Sequence, residues 1–210
     1  MKSKISAVVL ITILTACGSG KKPNWTAGAE QSHKWGYYSG LVETRWESDG
    51  RSMTLLNELR YTDPKGEVWI APAGSKVDGA SIPRYLWTVM GGPFEGKYRN
   101  ASVLHDVAYT HQKRPWQECD RMFYNAMRCS GVNAVNAKTM YYGLYRFGRH
   151  WKFPIKRAEK VKPSELLAQT EEFPRAVPVN PAQMNAARDW IQNADPSLEQ
   201  IEQHADAEQR

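Results

Sequence analysis

The hydrophobic and polar positions of this chain change their period part-way along its length. In the first half, segments 38–46 and 53–61 alternate with a period of about two residues, and the turn Ser48-Asp49-Gly50 separates them. Such alternation is typical of strands with one buried face. A third strand begins at Val68, after a second turn. The pattern therefore predicts a small antiparallel β-meander over residues 37–72.

Apolar residues recur at helical spacing beyond the predicted strands. The spacing predicts three helices, over about 98–112, 115–130 and 133–151, and the second opens at Pro115, a favourable first-turn proline. A last segment, roughly 181–206, is polar and acidic. The predicted fold class is therefore α+β, with a small antiparallel β-meander, a three-helix region and a loosely packed C-terminal helix.

About 190 residues remain after the predicted export signal. This length suits a single folded domain with extensions. The segments are a signal peptide at 1–16, a flexible tether at 17–36, an α+β domain at 37–151, a Pro-rich extended linker at 152–180 and an acidic C-terminal helical segment at 181–210.

The first residues have the pattern of an export signal. Two lysines precede an apolar run at 5–14 that is too short to span a bilayer. The run ends in Leu14-Thr15-Ala16-Cys17, which resembles the lipobox of bacterial lipoproteins. The resemblance implies cleavage before Cys17, lipidation of that cysteine and membrane attachment through its acyl chains. Gly18 follows where an inner-membrane lipoprotein carries aspartate, so by analogy the protein belongs at the outer membrane, facing the periplasm. An ordinary secretory signal with a chance cysteine is the alternative.

The charge of the chain is unevenly distributed. Residues 17–163 hold 23 basic and 13 acidic residues, a net +10, whereas residues 164–210 hold three arginines and nine acidic residues, a net −6. A segment with this positive charge is attracted to anionic phospholipid or another anionic envelope polymer. A basic surface with no specific partner is equally compatible with these counts. Export argues against nucleic acid as the partner, and the sequence leaves the oligomeric state open.

Two further cysteines follow the predicted lipidation site. Cys119 and Cys129 lie ten residues apart on one predicted helix, so their Cα atoms would be about 15 Å apart. A disulfide tolerates only about 7 Å. We therefore predict two unpaired, buried thiols, and the sparse Cys and His residues do not predict a zinc site.

The side chains best suited to catalysis lie on the first two predicted helices. His105 and Tyr109 are four residues apart and share a helix face. If the helices pack antiparallel across a short turn, Asp120 approaches His105. A carboxylate on one imidazole nitrogen fixes the tautomer, and the other nitrogen can then deprotonate a water. The sequence therefore predicts a candidate general-base site at His105, Asp120 and Tyr109.

Asp106 is rotated by about 100° from His105 on the same helix. A carboxylate together with backbone carbonyls suits a hard cation such as calcium. The glycine-rich loop 91–96 could supply those carbonyls. The sequence therefore gives Asp106 as a candidate metal ligand and calcium as a candidate cofactor.

These residues carry a resemblance to known enzymes. His105-Asp106-x-x-Tyr109, followed by Asp120-x-x-Phe123, resembles the catalytic helices of secreted phospholipase A2 and the shorter version in parvovirus capsid proteins. The resemblance implies His105 as base, Asp106 as calcium ligand, Asp120 as the partner of the histidine, and Tyr109 as a supporting hydrogen bonder. The calcium-loop glycines and paired cysteines of those enzymes are not matched.

A second resemblance spans about residues 50–150. Asp78-x-Ala-Ser81-Ile-Pro83, the His-Asp-x-x-Tyr motif and a Tyr-rich final helix look like a family of uncharacterised phage and bacterial proteins, known as a domain of unknown function. This resemblance implies no activity.

Each candidate residue also has a simpler interpretation. His105, Asp106 and Tyr109 could form a polar network that fixes two helices to a loop, or a binding site without catalysis. Asp78 and Ser81 suit a turn or a helix cap, but they could also bind substrate, with Ser81 as a nucleophile. Arg114 could hold a phosphate or pair with Glu118.

Three functions follow from these alternatives. The first is a lipid-anchored ester hydrolase acting on phospholipid. The second is a non-enzymatic, phage-derived protein that binds or structures the envelope. The third is a cell-wall hydrolase, for which the sequence holds no recognisable ligand set.

Overall fold

The computed structural model of this chain describes residues 33–79, 81–92, 94–152 and 178–208. The predicted signal peptide, the lipidation site at Cys17, most of the tether and most of the Pro-rich linker lie outside these residues. Among the helices that are described, each is too short or too polar to cross a membrane.

In the described part of the chain, six short strands form two antiparallel sheets of three strands each. The strands are β1 (Tyr37–Ser39), β2 (Thr44–Trp46), β3 (Met53–Leu55), β4 (Leu59–Thr62), β5 (Val68–Ala71) and β6 (Lys76–Val77). The first sheet has the order β1-β4-β5 and the second has the order β2-β3-β6. The strands expected from the alternation are present, but their order differs from a simple meander because β1 pairs with β4 and β3 pairs with β6.

Among the described residues, the three predicted helices are present, with a short helix before them and two helices in the C-terminal segment. The helices are α1 (Arg84–Met90), α2 (Arg99–His111), α3 (Trp116–Cys129), α4 (Ala134–Phe147), α5 (Pro181–Ala194) and α6 (Leu198–Ala207). The α+β class and the helical C-terminal region are both confirmed. The core lies between the sheets, α2, α3 and α4, and includes fully buried tyrosines at positions 61, 141 and 142.

The turn between α2 and α3 determines where the candidate site lies. Gln112 ends α2 in the left-handed conformation, with φ of 50°, and its N–H caps the carbonyl of Ala108. Pro115 then precedes the first residue of α3. Because only four residues join the helices, α2 and α3 pack side by side as an antiparallel pair.

The C-terminal segment forms two helices, and they pack more firmly than the sequence indicated. Asn180 caps α5, and Ser197 begins α6 with a capping box that includes Gln200. Ile191 and Ile201 are almost fully buried, with 1% and 0% of their surface exposed. We call α5 and α6 the C-terminal helix pair; both helices contact α4.

Both cysteines of the helical region lie on α3, as expected. Cys119 is buried, Cys129 is half-buried, and both are free thiols. Burial raises the pKa of Cys119 to about 12 and that of Cys129 to about 11. The thiolate forms are therefore disfavoured, and neither sulfur is poised as a nucleophile.

Candidate functional site

The structure brings the three predicted site residues of α2 and α3 together. The Nε2 atom of His105 lies 2.9 Å from Oδ1 of Asp120. The Tyr109 hydroxyl donates to the same oxygen at 2.5 Å. This contact between a histidine and an acid of the next helix is the one expected if the two helices pack antiparallel across a short turn.

The other ring nitrogen of His105 is not open to water. Nδ1 lies 3.0 Å from Oγ of Ser81, in the loop that follows β6. The ring packs between Tyr109 and Phe123, whose ring centroids lie 4.1 and 4.8 Å away. None of the His105 surface is exposed. The sequence predicted a wet, reachable nitrogen, and this geometry differs from that expectation because the Ser81 loop covers the ring.

Asp106 binds the same loop through hydrogen bonds to both carboxylate oxygens. Oδ2 accepts from the backbone N–H groups of Asp78, at 3.1 Å, and Gly79, at 2.5 Å. Oδ1 accepts from the hydroxyl of Ser81 and from its N–H, at 3.3 Å. Gly79 has a φ of +70°, a conformation that glycine adopts without strain and that turns these N–H groups toward one carboxylate.

This arrangement does not provide the calcium site that the sequence suggested. Both oxygens of Asp106 face N–H or O–H donors, whose positive ends occupy the positions that a cation would take. The carbonyls of Gly91 and Gly92, expected to complete such a site, accept from the hydroxyl of Tyr98 at 2.5 and 2.7 Å instead. Among the described residues, no group of three His, Cys, Asp or Glu side chains could hold a metal ion.

The hydrogen-bond directions define one continuous chain of contacts. We call Asp106, Ser81, His105, Asp120 and Tyr109 the buried network. The Ser81 hydroxyl donates to Asp106, and its oxygen also lies within hydrogen-bond distance of Nδ1 of His105. Both ring nitrogens of His105 therefore contact groups inside the protein.

Burial dominates the electrostatics of this network. It raises the pKa of Asp106, while the hydroxyl of Ser81 and the N–H of Gly79 act in the opposite direction. Burial and the neighbouring Asp120 hold the pKa of Tyr109 well above its usual range, so this phenol stays a neutral donor. Within the described part of the chain, Oδ2 of Asp120 is buried without a hydrogen-bond partner.

The two remaining predicted site residues lie apart from His105. The backbone N–H of Asp78 donates to the buried network, and its carboxylate lies 3.0 Å from the guanidinium of Arg51. Arg114 stacks on the ring of Trp69 at 4.3 Å and pairs with Glu67 at 3.1 Å. Arg114 therefore contacts the first sheet, and the expected local pair with Glu118 is replaced by the pair with Glu67.

Sequence reasoning missed the contact between Ser81 and Asp106. The two residues are 25 positions apart, and neither helical nor strand periodicity reports such an approach. The available signal was the loop chemistry itself, because Asp78-Gly79 and Ser81-Ile82-Pro83 hold a tight turn with several N–H groups free to bind an acid.

The comparisons with known proteins cover the segment that contains this network. Residues 53–144 match the family described as "Protein of unknown function (DUF1353)". The chain is also 41% identical over 121 residues to "Uncharacterized protein y4jT" of Sinorhizobium fredii (strain NBRC 101917 / NGR234), a match that covers 57% of this chain and 36% of that protein.

A second protein of the same strain, "Uncharacterized protein y4iH", is 36% identical over 116 residues, which cover 55% of this chain and 48% of that protein. The chain thus spans about a third to a half of the length of these relatives. No solved structure matches it. The comparisons therefore support an uncharacterised domain family over residues 53–144, and the C-terminal helix pair lies outside that match.

Proposed function

We propose that this protein is a lipid-anchored component of the bacterial cell envelope whose α+β domain binds a partner without hydrolysing it. In this proposal the buried network is a structural clamp. The observation that carries it is the enclosure of His105, which has no exposed surface and uses both ring nitrogens inside the protein.

The clamp connects three parts of the domain. Asp106 and His105 come from α2, Asp120 comes from α3, and Ser81 comes from the loop after β6. A hydrogen bond to a charged group contributes about 1.5–3 kcal/mol net, and leaving a buried partner unpaired costs about as much. Several such contacts on one loop hold it firmly against both helices.

The location and the partner are proposed from the sequence. The lipobox-like segment ending at Cys17 supports attachment through acyl chains. The net +10 of residues 17–163 supports binding to anionic phospholipid or another envelope polymer. Part of this charge is matched within the chain, because Glu199 and Glu202 of α6 pair with Arg121.

The experiment compares the wild-type protein with His105→Ala, using release of fatty acid from anionic phospholipid vesicles with and without calcium. We expect no release above background from either protein. We expect salt-sensitive vesicle binding by both the wild type and His111→Ala, an exposed control on the same helix. Release of fatty acid that disappears in a folded His105→Ala variant would overturn the proposal.

Lipidation is tested separately. Cells that express the wild type or Cys17→Ala are labelled with an alkyne-bearing fatty acid and then fractionated. We expect label and outer-membrane location for the wild type and neither for the variant. Equal labelling of both proteins would rule out Cys17 as the anchor.

A second candidate function is an ester hydrolase, because His105 bridges a serine and an aspartate at 3.0 and 2.9 Å. This order of groups is that of a serine nucleophile, a base and an orienting acid. It requires the loop to open, since Ser81 is almost fully buried. A fluorophosphonate probe distinguishes the two candidates: labelling at Ser81 that is lost in His105→Ala favours the hydrolase, and an unlabelled Ser81 favours the clamp.

A further inference from the structure

A groove runs between the outer edge of the first sheet and one face of α2. Its volume is about 450 Å³. The helix contributes Leu104, Val107, Ala108 and His111, which follow the spacing i, i+3, i+4, i+7 of a single helix face. The strand contributes Val68, Trp69 and Ile70 of β5. We call this feature the edge groove.

Within the part of the chain that the structure describes, no strand pairs with the outer side of the strand that borders the edge groove. β5 is the last strand in the order β1-β4-β5, so only its other side pairs within the sheet. The hairpin closes with Asp63 N–H donating to the carbonyl of Glu67 at 3.0 Å. Because bonded and non-bonded pairs alternate in an antiparallel ladder, the N–H and C=O groups of Val68 and Ile70 point away from β4.

One contact agrees with this assignment of the outward groups. The guanidinium of Arg114 donates to the carbonyl of Val68 at 3.4 Å, from the outer side of the strand. The side chains of Val68 and Ile70 are 44% and 40% exposed. An edge with outward amides and exposed aliphatic side chains is a template for another strand.

Basic side chains lie at one end of the edge groove. Arg114 contacts Val68 there and Lys113 precedes it in the chain, whereas Glu58 and Pro72 adjoin the Leu59–Ala71 pair at the other end. The charge of Arg114 is already paired with Glu67. Lys113 forms no ion pair among the residues that the structure covers, and it is exposed. A strand that adds antiparallel to β5 would run from Pro72 toward Val68, so its carboxyl end would meet these basic groups.

We propose that the edge groove binds an extended peptide segment of a partner protein that adds to β5 as an antiparallel strand and ends in acidic residues. Backbone hydrogen bonds to Val68 and Ile70 supply affinity, and Lys113 selects the acidic end. β5 offers four residues, a length of about 13 Å, which matches a peptide of four or five residues. This inference goes beyond the envelope function and does not depend on lipidation.

The test uses a synthetic peptide, acetyl-Thr-Val-Thr-Val-Asp-Glu with a free carboxylate, titrated into the ¹⁵N-labelled protein. We expect shifts and slowed hydrogen exchange at the N–H groups of Val68 and Ile70. A control peptide with two lysines in place of the acids and an amidated end is expected to bind at least tenfold more weakly.

Two protein variants separate backbone pairing from charge. Ile70→Pro removes one outward N–H without breaking the ladder to β4, a substitution that edge strands tolerate, and we expect at least a tenfold loss of affinity. Ile70→Val keeps the N–H and is the matched control. Lys113→Glu is expected to weaken the acidic peptide and to strengthen the lysine peptide.

Chemically modified peptides test the proposal even if the Ile70→Pro protein does not fold. Methylation of alternate peptide nitrogens on one edge should abolish binding, and methylation on the other edge should not. Several results would overturn the proposal: no binding at millimolar peptide, equal binding by methylated peptides, protection of Val68 and Ile70 only by anionic vesicles, or protection that follows self-association of the protein.

Discussion

Two regions of this molecule use the same kinds of polar groups in different surroundings. The buried network joins α2, α3 and the loop after β6, and its histidine and Asp120 have no exposed surface. The C-terminal helix pair presents acidic side chains to α3 and α4, where Arg121 lies 3.0 Å from Glu199 and 2.7 Å from Glu202. In the second region the side chain of Glu199 is 61% exposed.

The difference in burial determines what each region contributes. Removing one member of a buried polar set leaves its partners desolvated and unpaired, which is costly. Exposed ion pairs are screened by water and contribute little. We therefore expect the buried network to hold its elements by polar contacts and the C-terminal helix pair to be held by apolar burial at Ile191, Ile201 and Ala205.

The largest expected effect comes from Asp120→Ala. The substitution removes the acceptor of both the His105 ring and the Tyr109 hydroxyl. We expect the free energy of unfolding to fall by about 3–5 kcal/mol, as for a broken buried pair, measured by urea denaturation. Asp120→Asn keeps the shape and one acceptor and is expected to cost less. A loss below about 1 kcal/mol for Asp120→Ala would show that the network is not a clamp.

Ile201→Ala tests the other half of the comparison. Ile201 lies on α6 and has no exposed surface, so truncation leaves a cavity. We expect a loss of about 2–5 kcal/mol in unfolding free energy, together with faster hydrogen exchange in α5 and α6. An unchanged stability would mean that apolar burial does not attach the helix pair.

Arg121→Gln is expected to have a much smaller effect, although it removes two ion pairs. The Arg121 side chain is about one third exposed, and the side chains of Glu199 and Glu202 are 61% and 20% exposed. Ion pairs that water reaches contribute about 0.2–1 kcal/mol each. We expect a loss near the lower end of that range, which added salt reduces further. A loss as large as that of Ile201→Ala would remove the distinction between the two regions.

Local patterns in the sequence predicted the part of the site that depends on neighbouring elements. Helical spacing gave α2 and α3, and the short turn at Pro115 gave the approach of Asp120 to His105. The covering of the ring by Ser81 was not predictable, because it depends on where a loop 24 residues away lies after folding. The same cause explains the strand order, since the pairing of β1 with β4 passes over β2 and β3.

The C-terminal region shows a different reason for a partial prediction. Its charge count indicated a polar, loosely packed helix, but the packing depends on a few apolar residues at helical spacing, such as Met184, Ala187 and Ile191. A narrow apolar stripe is sufficient to attach a helix when α4 presents a complementary apolar face. The amino-acid composition does not reveal that face. The signal that the sequence analysis did not use lies in the caps, because Asn180 and Ser197 begin the two helices.

The finest difference between the regions is the sign of their pH dependence. Burial raises the pKa of Asp106, so the folded protein holds this proton more tightly than the unfolded chain does. The stabilisation that Asp106 contributes is complete below its pKa in the unfolded chain, about 3.9. It is lost as the pH rises through its pKa in the folded protein. Lys138 lowers the pKa of the exposed Asp195, so its contribution is present above the unfolded value and is lost as the pH falls through the folded pKa.

Asp106→Asn and Asp195→Asn make these signs measurable, because each amide removes one titration. The difference in unfolding free energy between wild type and variant should decrease with rising pH for Asp106 and increase for Asp195, from acid to neutral conditions. Urea denaturation at a series of pH values gives both slopes. Slopes of the same sign would mean that the loop's N–H and O–H groups outweigh burial at Asp106, in which case the clamp is an anion site and the two regions respond to protons alike.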